Sequence, residues 1–306
     1  MTRVAAIDIG TNSTRLLIAD VDGEGRDAKL VPVERRTQIT RLGQGVNESR
    51  ALHPDAIART LDTLYSYKQI LDETGVERVR ATATSASRDA TNREDFFAPV
   101  EALLGVRPEL LSGQQEAGYE YEGATAGLAE PSPYLLMDVG GGSTEFIAGT
   151  DEPSALCSID IGCVRLTEQY LHGDPPTPEE LSQAVSVVRD HLADVDRLVP
   201  GAADAATFIG TAGTVWTLAA IELGVDAERS DVIDHFRVTR AAAEDVFRTL
   251  ATEPIEQRRH NPGLDPGRVD VIVGGAIVVV SAMRHWKFDE MLVSEADILD
   301  GIARNT

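Results

Sequence analysis

Asp8-Ile-Gly-Thr-Asn-Ser-Thr-Arg15 recurs, with few changes, as Asp138-Val-Gly-Gly-Gly-Ser-Thr-Glu145 in the second half of the chain. Asp, Gly, Ser and Thr occupy equal positions in the two copies. Each copy joins two apolar stretches, a pattern that predicts a strand, a tight turn and a return strand. One unit repeated in this way predicts two related lobes with a cleft between them, and both turns are expected to face that cleft.

The composition of both turns suits a phosphate ligand. Glycine lets the backbone approach a ligand closely, successive turn N–H groups form an anion-binding concavity, and hydroxyl groups add donors. The alternative, two ordinary hairpin turns, is less consistent with two copies in matched context. The predicted phosphate contacts are Gly10, Thr11, Asn12, Ser13 and Arg15 in the first copy and Gly140, Gly141, Gly142 and Ser143 in the second.

The two copies differ at their last position, where Arg15 corresponds to Glu145. A carboxylate at a strand end beside bound phosphate is a natural ligand for hydrated Mg²⁺, which prefers oxygen. The second copy carries two carboxylates, Asp138 and Glu145, and is therefore the predicted metal side. Asp8 is predicted to hold a metal-bound water.

Strands alternate with helical patterns along the chain, which indicates an α/β fold. We expect a first domain at residues 1–124 and a second at 125–295, with a final helix at about 296–306 that packs back onto the first. A third glycine-containing loop between a strand and a helix would place N–H groups where anions are favoured, although a plain turn is equally compatible. Its candidate residues are Gly210, Thr211, Gly213 and Thr214.

Composition bounds the class of protein. A net charge of -22 argues against nucleic-acid or membrane binding. Screening acts over about 8 Å at physiological salt, so a polyanion can still bind where arginines, N–H groups and a cation converge. The longest apolar stretch, residues 269–283, is too short to span a bilayer. No signal-peptide pattern precedes the first strand, so a cytoplasmic location is expected, and Cys157 and Cys163 are interpreted as reduced structural thiols.

These motifs together resemble the exopolyphosphatase/guanosine pentaphosphate phosphohydrolase (Ppx/GppA) family of the actin-like ATPase superfamily, over essentially the whole chain. The resemblance implies a duplicated actin-like (ribonuclease H-like) fold, Mg²⁺ or Mn²⁺ at the second copy, and a homodimer. In the segment 81–92 it implies a phosphate contact by Arg88. In Ser112-Gly-Gln-Gln-Glu-Ala117 it places the catalytic glutamate at Glu116.

The sequence also departs from the family pattern. Many members carry two adjacent acids in the glutamate segment, and here the first is Gln115. The segment 294–301 lacks an arginine that many members have before the final glycine. Without the resemblance, Glu116 would be interpreted as a first-turn residue that favours the helix dipole. Arg88 would be interpreted as a solvated arginine, and Arg268 either caps a helix or lines a channel.

The leading hypothesis is hydrolysis of terminal phosphate from inorganic polyphosphate, with Mg²⁺ and with Glu116 as general base. The close alternative substrate is guanosine pentaphosphate. A hypothesis of another class is a non-catalytic sensor that binds phosphate or nucleotide. A sugar kinase ranks below these, since no acceptor-sugar signature is evident.

Overall fold

The computed structural model describes residues 1–306, which form two compact units. Unit 1 comprises Met1–Leu128 and Ala296–Thr306, and unit 2 comprises Ala129–Glu295. The final segment therefore belongs to the same unit as the N-terminal half. None of the helices is long and apolar enough to cross a membrane.

Unit 1 contains a five-stranded mixed sheet with the order β3-β2-β1-β4-β5. The first three strands pair antiparallel, and β4 and β5 continue the sheet in parallel. The strands are β1 Thr2–Ile9, β2 Ser13–Asp22, β3 Lys29–Ile39, β4 Arg78–Ala83 and β5 Glu109–Leu110. The helices of the N-terminal half are α1 Val46–Ser49, α2 Pro54–Thr74, α3 Ser85–Asp89, α4 Glu94–Leu104 and α5 Gly113–Thr125.

Local sequence explains the bounds of the long helix α2. The His53 side chain accepts a hydrogen bond from the Asp55 N–H at 3.2 Å, and Pro54 occupies the first helical position, where a missing N–H costs nothing. Gly75 ends the helix with φ +68°, a left-handed conformation that glycine adopts without strain.

The unit 1 sheet separates two hydrophobic clusters because strand side chains alternate between its faces. Ala5, Ile7 and Ile9 of β1 pack with α2 and α4, whereas Val4 and Ala6 pack with the C-terminal segment. Asp8 and Arg15, at the ends of β1 and β2, lie on the same face of the sheet as Val4. Sequence alternation therefore directs both charged side chains toward the C-terminal segment.

Unit 2 contains a six-stranded sheet with the order β10-β11-β9-β6-β7-β8. Its strands are β6 Tyr134–Val139, β7 Thr144–Gly149, β8 Pro153–Ile159, β9 Thr207–Thr211, β10 Arg237–Thr239 and β11 Glu290–Val293. Its helices are α6 Cys163–Tyr170, α7 Pro178–Leu198, α8 Ala212–Leu223, α9 Ser230–Ile233, α10 Arg240–Thr252, α11 Ile255–Arg258 and α12 Ile272–Trp286.

The two sheets repeat one topology. In unit 2, β8, β7 and β6 form the antiparallel meander, and β9 and β11 follow in parallel, as β4 and β5 do in unit 1. Strand β10 is an additional edge strand. The predicted α/β class and the duplication of one topology in two units are confirmed.

Three local features of the structure do not follow from the local sequence pattern. Asn92 lies just before α4 but does not cap it, since its side chain binds the backbone N–H and C=O of Leu52 at 2.8 and 3.1 Å. Strand β10 lacks a clear sequence pattern because it has three residues with only one buried. Helix α8 begins at Ala212, inside the predicted loop, because Ala212 adopts φ +63° and lets the strand turn directly into the helix.

The last helix, α13 (Ile298–Arg304), packs against α5 through two glycines. A Cβ on Gly123 would collide with the Asp297 carbonyl, and one on Gly301 would collide with the Tyr119 carbonyl. The buried Glu120 side chain accepts the Ile298 N–H at 2.8 Å. This close approach fixes α13 on the helix that begins just before Glu116.

We expect Gly123→Ala to lower the free energy of unfolding by about 1–3 kcal/mol, the usual cost of overpacking, measured by urea unfolding. Gly118→Ala is the matched control on the same helix, because its Cβ would meet nothing within 4 Å. The control should be neutral or more stable by up to about 1 kcal/mol, as helix propensity predicts. Equal effects of the two substitutions would contradict the close packing of α5 on α13.

Candidate functional site

The first turn of the repeat, between β1 and β2, is held by the backbone of residues 40–43. The Thr11 carbonyl accepts the Gly43 N–H at 2.9 Å, and the Asn12 carbonyl accepts the N–H groups of residues 40 and 41 at 3.0 and 2.8 Å. The peptides here are trans, so each N–H points away from the carbonyl of its own peptide plane. The N–H groups of Asn12 and Ser13 therefore point to the side opposite residues 40–43.

Several side-chain atoms around this turn are buried and have no hydrogen-bond partner: Thr11 Oγ1, both polar atoms of Asn12, and Ser87 Oγ on α3. Leaving a buried polar group unsatisfied costs about 1–3 kcal/mol. The turn is therefore polar beyond what its own structure uses, which favours a hydrogen-bonding ligand or ordered water there.

At the end of the first hairpin, Asp8 and Arg15 are cross-strand partners. Arg15 Nη2 donates to Asp8 Oδ2 at 2.8 Å, and Thr82 Oγ1 lies 3.4 Å from Asp8 Oδ1. Burial raises the pKa of the Asp8 carboxyl, and the Arg15 guanidinium acts against that shift. A second carboxylate, Asp297, also binds Arg15. Arg15, predicted as a phosphate contact, thus forms two ion pairs within unit 1.

The two residues assigned by family resemblance in unit 1 lie together. Arg88 Nη1 donates to Glu116 Oε2 at 2.7 Å and to the Leu111 carbonyl at 2.8 Å. Glu116 is buried at 7 % exposure, in the first turn of α5. The capping role belongs to Ser112 and Gln115, whose side chains each bind the other's backbone N–H. Helix capping therefore does not require Glu116.

The second turn of the repeat, Gly140–Ser143, is held by the N-terminus of α6. The Gly140 carbonyl accepts the Cys163 N–H at 2.9 Å, and the Gly141 carbonyl accepts the Val164 and Arg165 N–H groups at 2.9 and 3.1 Å. Arg165 Nε donates to the Gly142 carbonyl at 2.8 Å.

This arrangement directs three turn N–H groups to one side. In trans peptides, carbonyls that point toward α6 leave the following N–H groups, those of Gly141, Gly142 and Ser143, pointing the opposite way. Gly162 is required beside the turn, because a Cβ there would collide with the Gly140 and Gly141 carbonyls. Successive N–H groups on one side form the kind of concavity that binds anions.

Beneath the second turn, Asp138 and Glu145 lie directly opposite each other on β6 and β7. Their exposures are 5 and 1 %, respectively. Ser158 on β8 donates to Glu145 Oε1 at 2.5 Å. Like charges directly opposite on neighbouring strands are destabilising, and burial increases that cost. The pair therefore favours a bound cation.

The third predicted loop forms the end of β9 and the first turn of α8. The Thr211 and Thr214 hydroxyls donate to carbonyls at the end of β6, at 3.5 and 3.3 Å. The buried Arg268 guanidinium lies against Gly213, where a Cβ would collide with it. Gly275 packs against Thr214 in the same way. The threonine hydroxyls thus connect this turn to β6, and the guanidinium of Arg268 lies at the start of α8.

Across residues 1–306, no group of three or more His, Cys, Asp or Glu side chains is placed to hold a metal ion. Both cysteines are reduced and buried, and burial raises the pKa of the Cys157 thiol to about 11. Sequence reasoning missed Ser158 as the partner of Glu145. The period of two along β8 could have indicated it, since Ser158 is paired with Glu145 across the strands.

Comparisons with known proteins agree with this arrangement. Residues 17–304 match the Ppx/GppA phosphatase family. Exopolyphosphatase 2 of Mycobacterium tuberculosis is 45 % identical over 313 residues, which cover 99 % of this chain and 98 % of that protein. The crystal structure of an exopolyphosphatase-like protein superposes with a TM-score of 0.92 at 35 % identity, covering 98 % of this chain and 97 % of that one. The Aquifex aeolicus Ppx/GppA family member superposes with a TM-score of 0.82 at 33 % identity, covering 99 and 96 %. The chain belongs to the Ppx/GppA phosphatase family, as its motifs predicted.

Proposed function

We propose that the protein is an exopolyphosphatase that hydrolyses the terminal phosphate of inorganic polyphosphate with Mg²⁺ as its cofactor. The observation that carries the proposal is the buried Asp138–Glu145 pair beneath a triple-glycine turn whose N–H groups share one direction. A further support is the similarity, over nearly the full length of both chains, to a protein named exopolyphosphatase 2.

Asp138 and Glu145 are the proposed metal ligands. Mg²⁺ usually keeps several waters and is bound by one or two carboxylates together with substrate phosphates, so two carboxylates suffice. Ser158 holds Glu145 Oε1 at 2.5 Å and so fixes the orientation of that carboxylate. A cation bound here would neutralise charge on the phosphate oxygens. Mn²⁺, which also takes oxygen ligands, is the alternative metal.

The backbone of the two turns is proposed to hold phosphate oxygens. Because neighbouring segments hold the turn carbonyls, the N–H groups keep their direction without rearrangement when charge develops, which is the property that makes such donors effective. Buried Asn12 and Thr11 add side-chain donors at the first turn. The first turn of α8, with Gly213 and Arg268, adds N–H groups and positive charge in unit 2.

Glu116 is the proposed general base, which accepts a proton from the attacking water. Arg88 orients its carboxylate through the 2.7 Å contact. The planar guanidinium of Arg88 also suits a phosphate oxygen, because its fork carries several donors. Asp8 stays a candidate for holding a metal-bound water.

We expect Glu116→Gln to lower the kcat of phosphate release about 10²- to 10⁴-fold, the usual contribution of a general base. Glu122→Gln on the same helix is the control, since Glu122 binds Asn305 at the far end of α5. Steady-state phosphate release from polyphosphate measures both variants. A kcat within twofold of the unsubstituted protein for Glu116→Gln would remove Glu116 from the mechanism.

Mg²⁺ should raise the thermal stability of the protein and should fail to do so in Glu145→Gln. At a metal concentration of 100 Kd, binding stabilises the folded state by about 2.7 kcal/mol. The metal-free variant should be more stable than the unsubstituted protein by up to about 1 kcal/mol, because one of two buried like charges is removed.

Asp160→Asn is the control for this experiment, since Asp160 is an exposed carboxylate of the same unit. It should keep the stabilisation by Mg²⁺. Scanning calorimetry with and without Mg²⁺ gives the comparison, and an equal response of all three proteins to Mg²⁺ would contradict a metal site at Glu145.

One set of assays separates this proposal from the guanosine pentaphosphate hypothesis and from the sensor hypothesis. Phosphate release is measured from short and long polyphosphate and from guanosine pentaphosphate, each with and without Mg²⁺. The proposal expects release from polyphosphate that depends on the metal. Preferential release from the nucleotide would instead assign the guanosine pentaphosphate activity, and tight binding without release would assign a sensor. The cytoplasmic location and the homodimer stay predictions.

A further inference from the structure

The C-terminal helix α13 begins with a buried carboxylate, Asp297, to which the proposed reaction assigns no role. Its side chain caps the helix by accepting the Leu299 N–H at 2.9 Å. The same carboxylate binds Arg15, and Arg35 Nη1 lies 3.5 Å from its other oxygen. Asp297 is 5 % exposed. A helix cap alone needs no buried ion pairs, so these contacts require another explanation.

Arg15 is held from two sides. Its Nη2 donates to Asp8 and its Nη1 donates to Asp297. Two charge-assisted bonds from different nitrogens fix the plane of a guanidinium, because the donors form a rigid fork. The position of Arg15, and with it the charge beside the Asp8 carboxylate, therefore depends on Asp297.

A second aspartate of the same helical turn, Asp300, makes different contacts. Asp300 binds Arg35 Nη2 at 2.7 Å and accepts the Asp297 N–H at 3.0 Å. The burial of Asp300 matches that of Asp297. The two acids thus lie in the same helical turn with similar exposure, but Asp297 binds Arg15, whereas the 2.7 Å ion pair of Asp300 is with Arg35.

Helix α13 is itself rigidly placed, through the close Gly123 and Gly301 contacts with α5 and the Glu120–Ile298 hydrogen bond. Buried ion pairs contribute little net stability, because desolvation offsets the attraction. The buried Asp8 and Asp297 carboxylates that bind Arg15 are therefore better explained by the orientation they impose on its guanidinium than by the stability they add.

We propose that Asp297 is a positioning residue for the phosphatase reaction, which holds Arg15 so that the Asp8 carboxylate keeps its place at the first turn. This inference rests on the proposed function and adds to it a role for the segment 294–301, whose sequence departs from the family pattern. Asp297 is proposed to act through Arg15 and not by touching the substrate.

The test compares Asp297→Asn with Asp300→Asn, two isosteric changes that each remove one buried charge from the same helical turn. Asp297→Asn should lower the kcat of phosphate release about tenfold or more, with KM changed less than about threefold. Asp300→Asn should leave both within about twofold. Combining Asp297→Asn with Arg15→Gln should lower kcat no further than Arg15→Gln alone, since residues that act as one unit are not additive.

A second readout follows Arg15 itself. In ¹⁵N NMR, its guanidinium signals should show hindered rotation in the unsubstituted protein and in Asp300→Asn, and should lose it in Asp297→Asn. Equal losses of kcat in the two aspartate variants, in proportion to lost thermal stability, would reduce Asp297 to a structural residue. If the unsubstituted protein released no phosphate, the proposed function would fail. The NMR comparison would then decide the positioning role alone, and unchanged Arg15 signals in Asp297→Asn would overturn it.

Discussion

The structure depends on one cross-strand position, the residue that faces the aspartate at the end of the first hairpin of each unit. In unit 1 this residue is Arg15, which neutralises Asp8 within the fold. In unit 2 it is Glu145, which places a second carboxylate opposite Asp138. The backbones of the two hairpins share one pattern, so a single substitution at this position separates a self-neutralised site from one that favours a cation.

The backbone of the two turns is held by two different means. Residues 40–43 hold the carbonyls of the first turn, and the N-terminus of α6 holds those of the second. The threonine that follows each turn makes a further hydrogen bond. Thr14 contacts Thr40 at 2.9 Å, and Thr144 donates to the Ile161 carbonyl at 2.6 Å. In both units, therefore, the residues after the hairpin determine which way its N–H groups point.

Much of this arrangement could be predicted from the sequence, because the repeat is a local pattern. The strands around Asp8 and Asp138, the helix opened by Pro54 and the fold class all follow from alternation, capping residues and turn composition. The site residues Arg88 and Glu116 were assigned by resemblance, and neither residue alone indicates that they form an ion pair 28 positions apart.

Other features depend on tertiary contacts that no local sequence pattern indicates. Asp297 and Arg15 are 282 positions apart, and only the packing of α13 on the β1–β2 face brings them together. The Asn92 side chain, placed just before α4, is engaged by the backbone of Leu52, 40 positions away, and does not cap that helix. The start of α8 was missed because an alanine with positive φ has no signature in sequence.

The most direct test of the proposed metal site is the anomalous difference map of a crystal soaked in Mn²⁺, since this metal can occupy an Mg²⁺ site and scatters anomalously. We expect a peak coordinated by the carboxylates of Asp138 and Glu145, and none between Asp8 and Arg15, whose charges already neutralise each other. A Mn²⁺ peak at Asp8 with none at the Asp138–Glu145 pair would contradict the assignment of the second hairpin as the metal side.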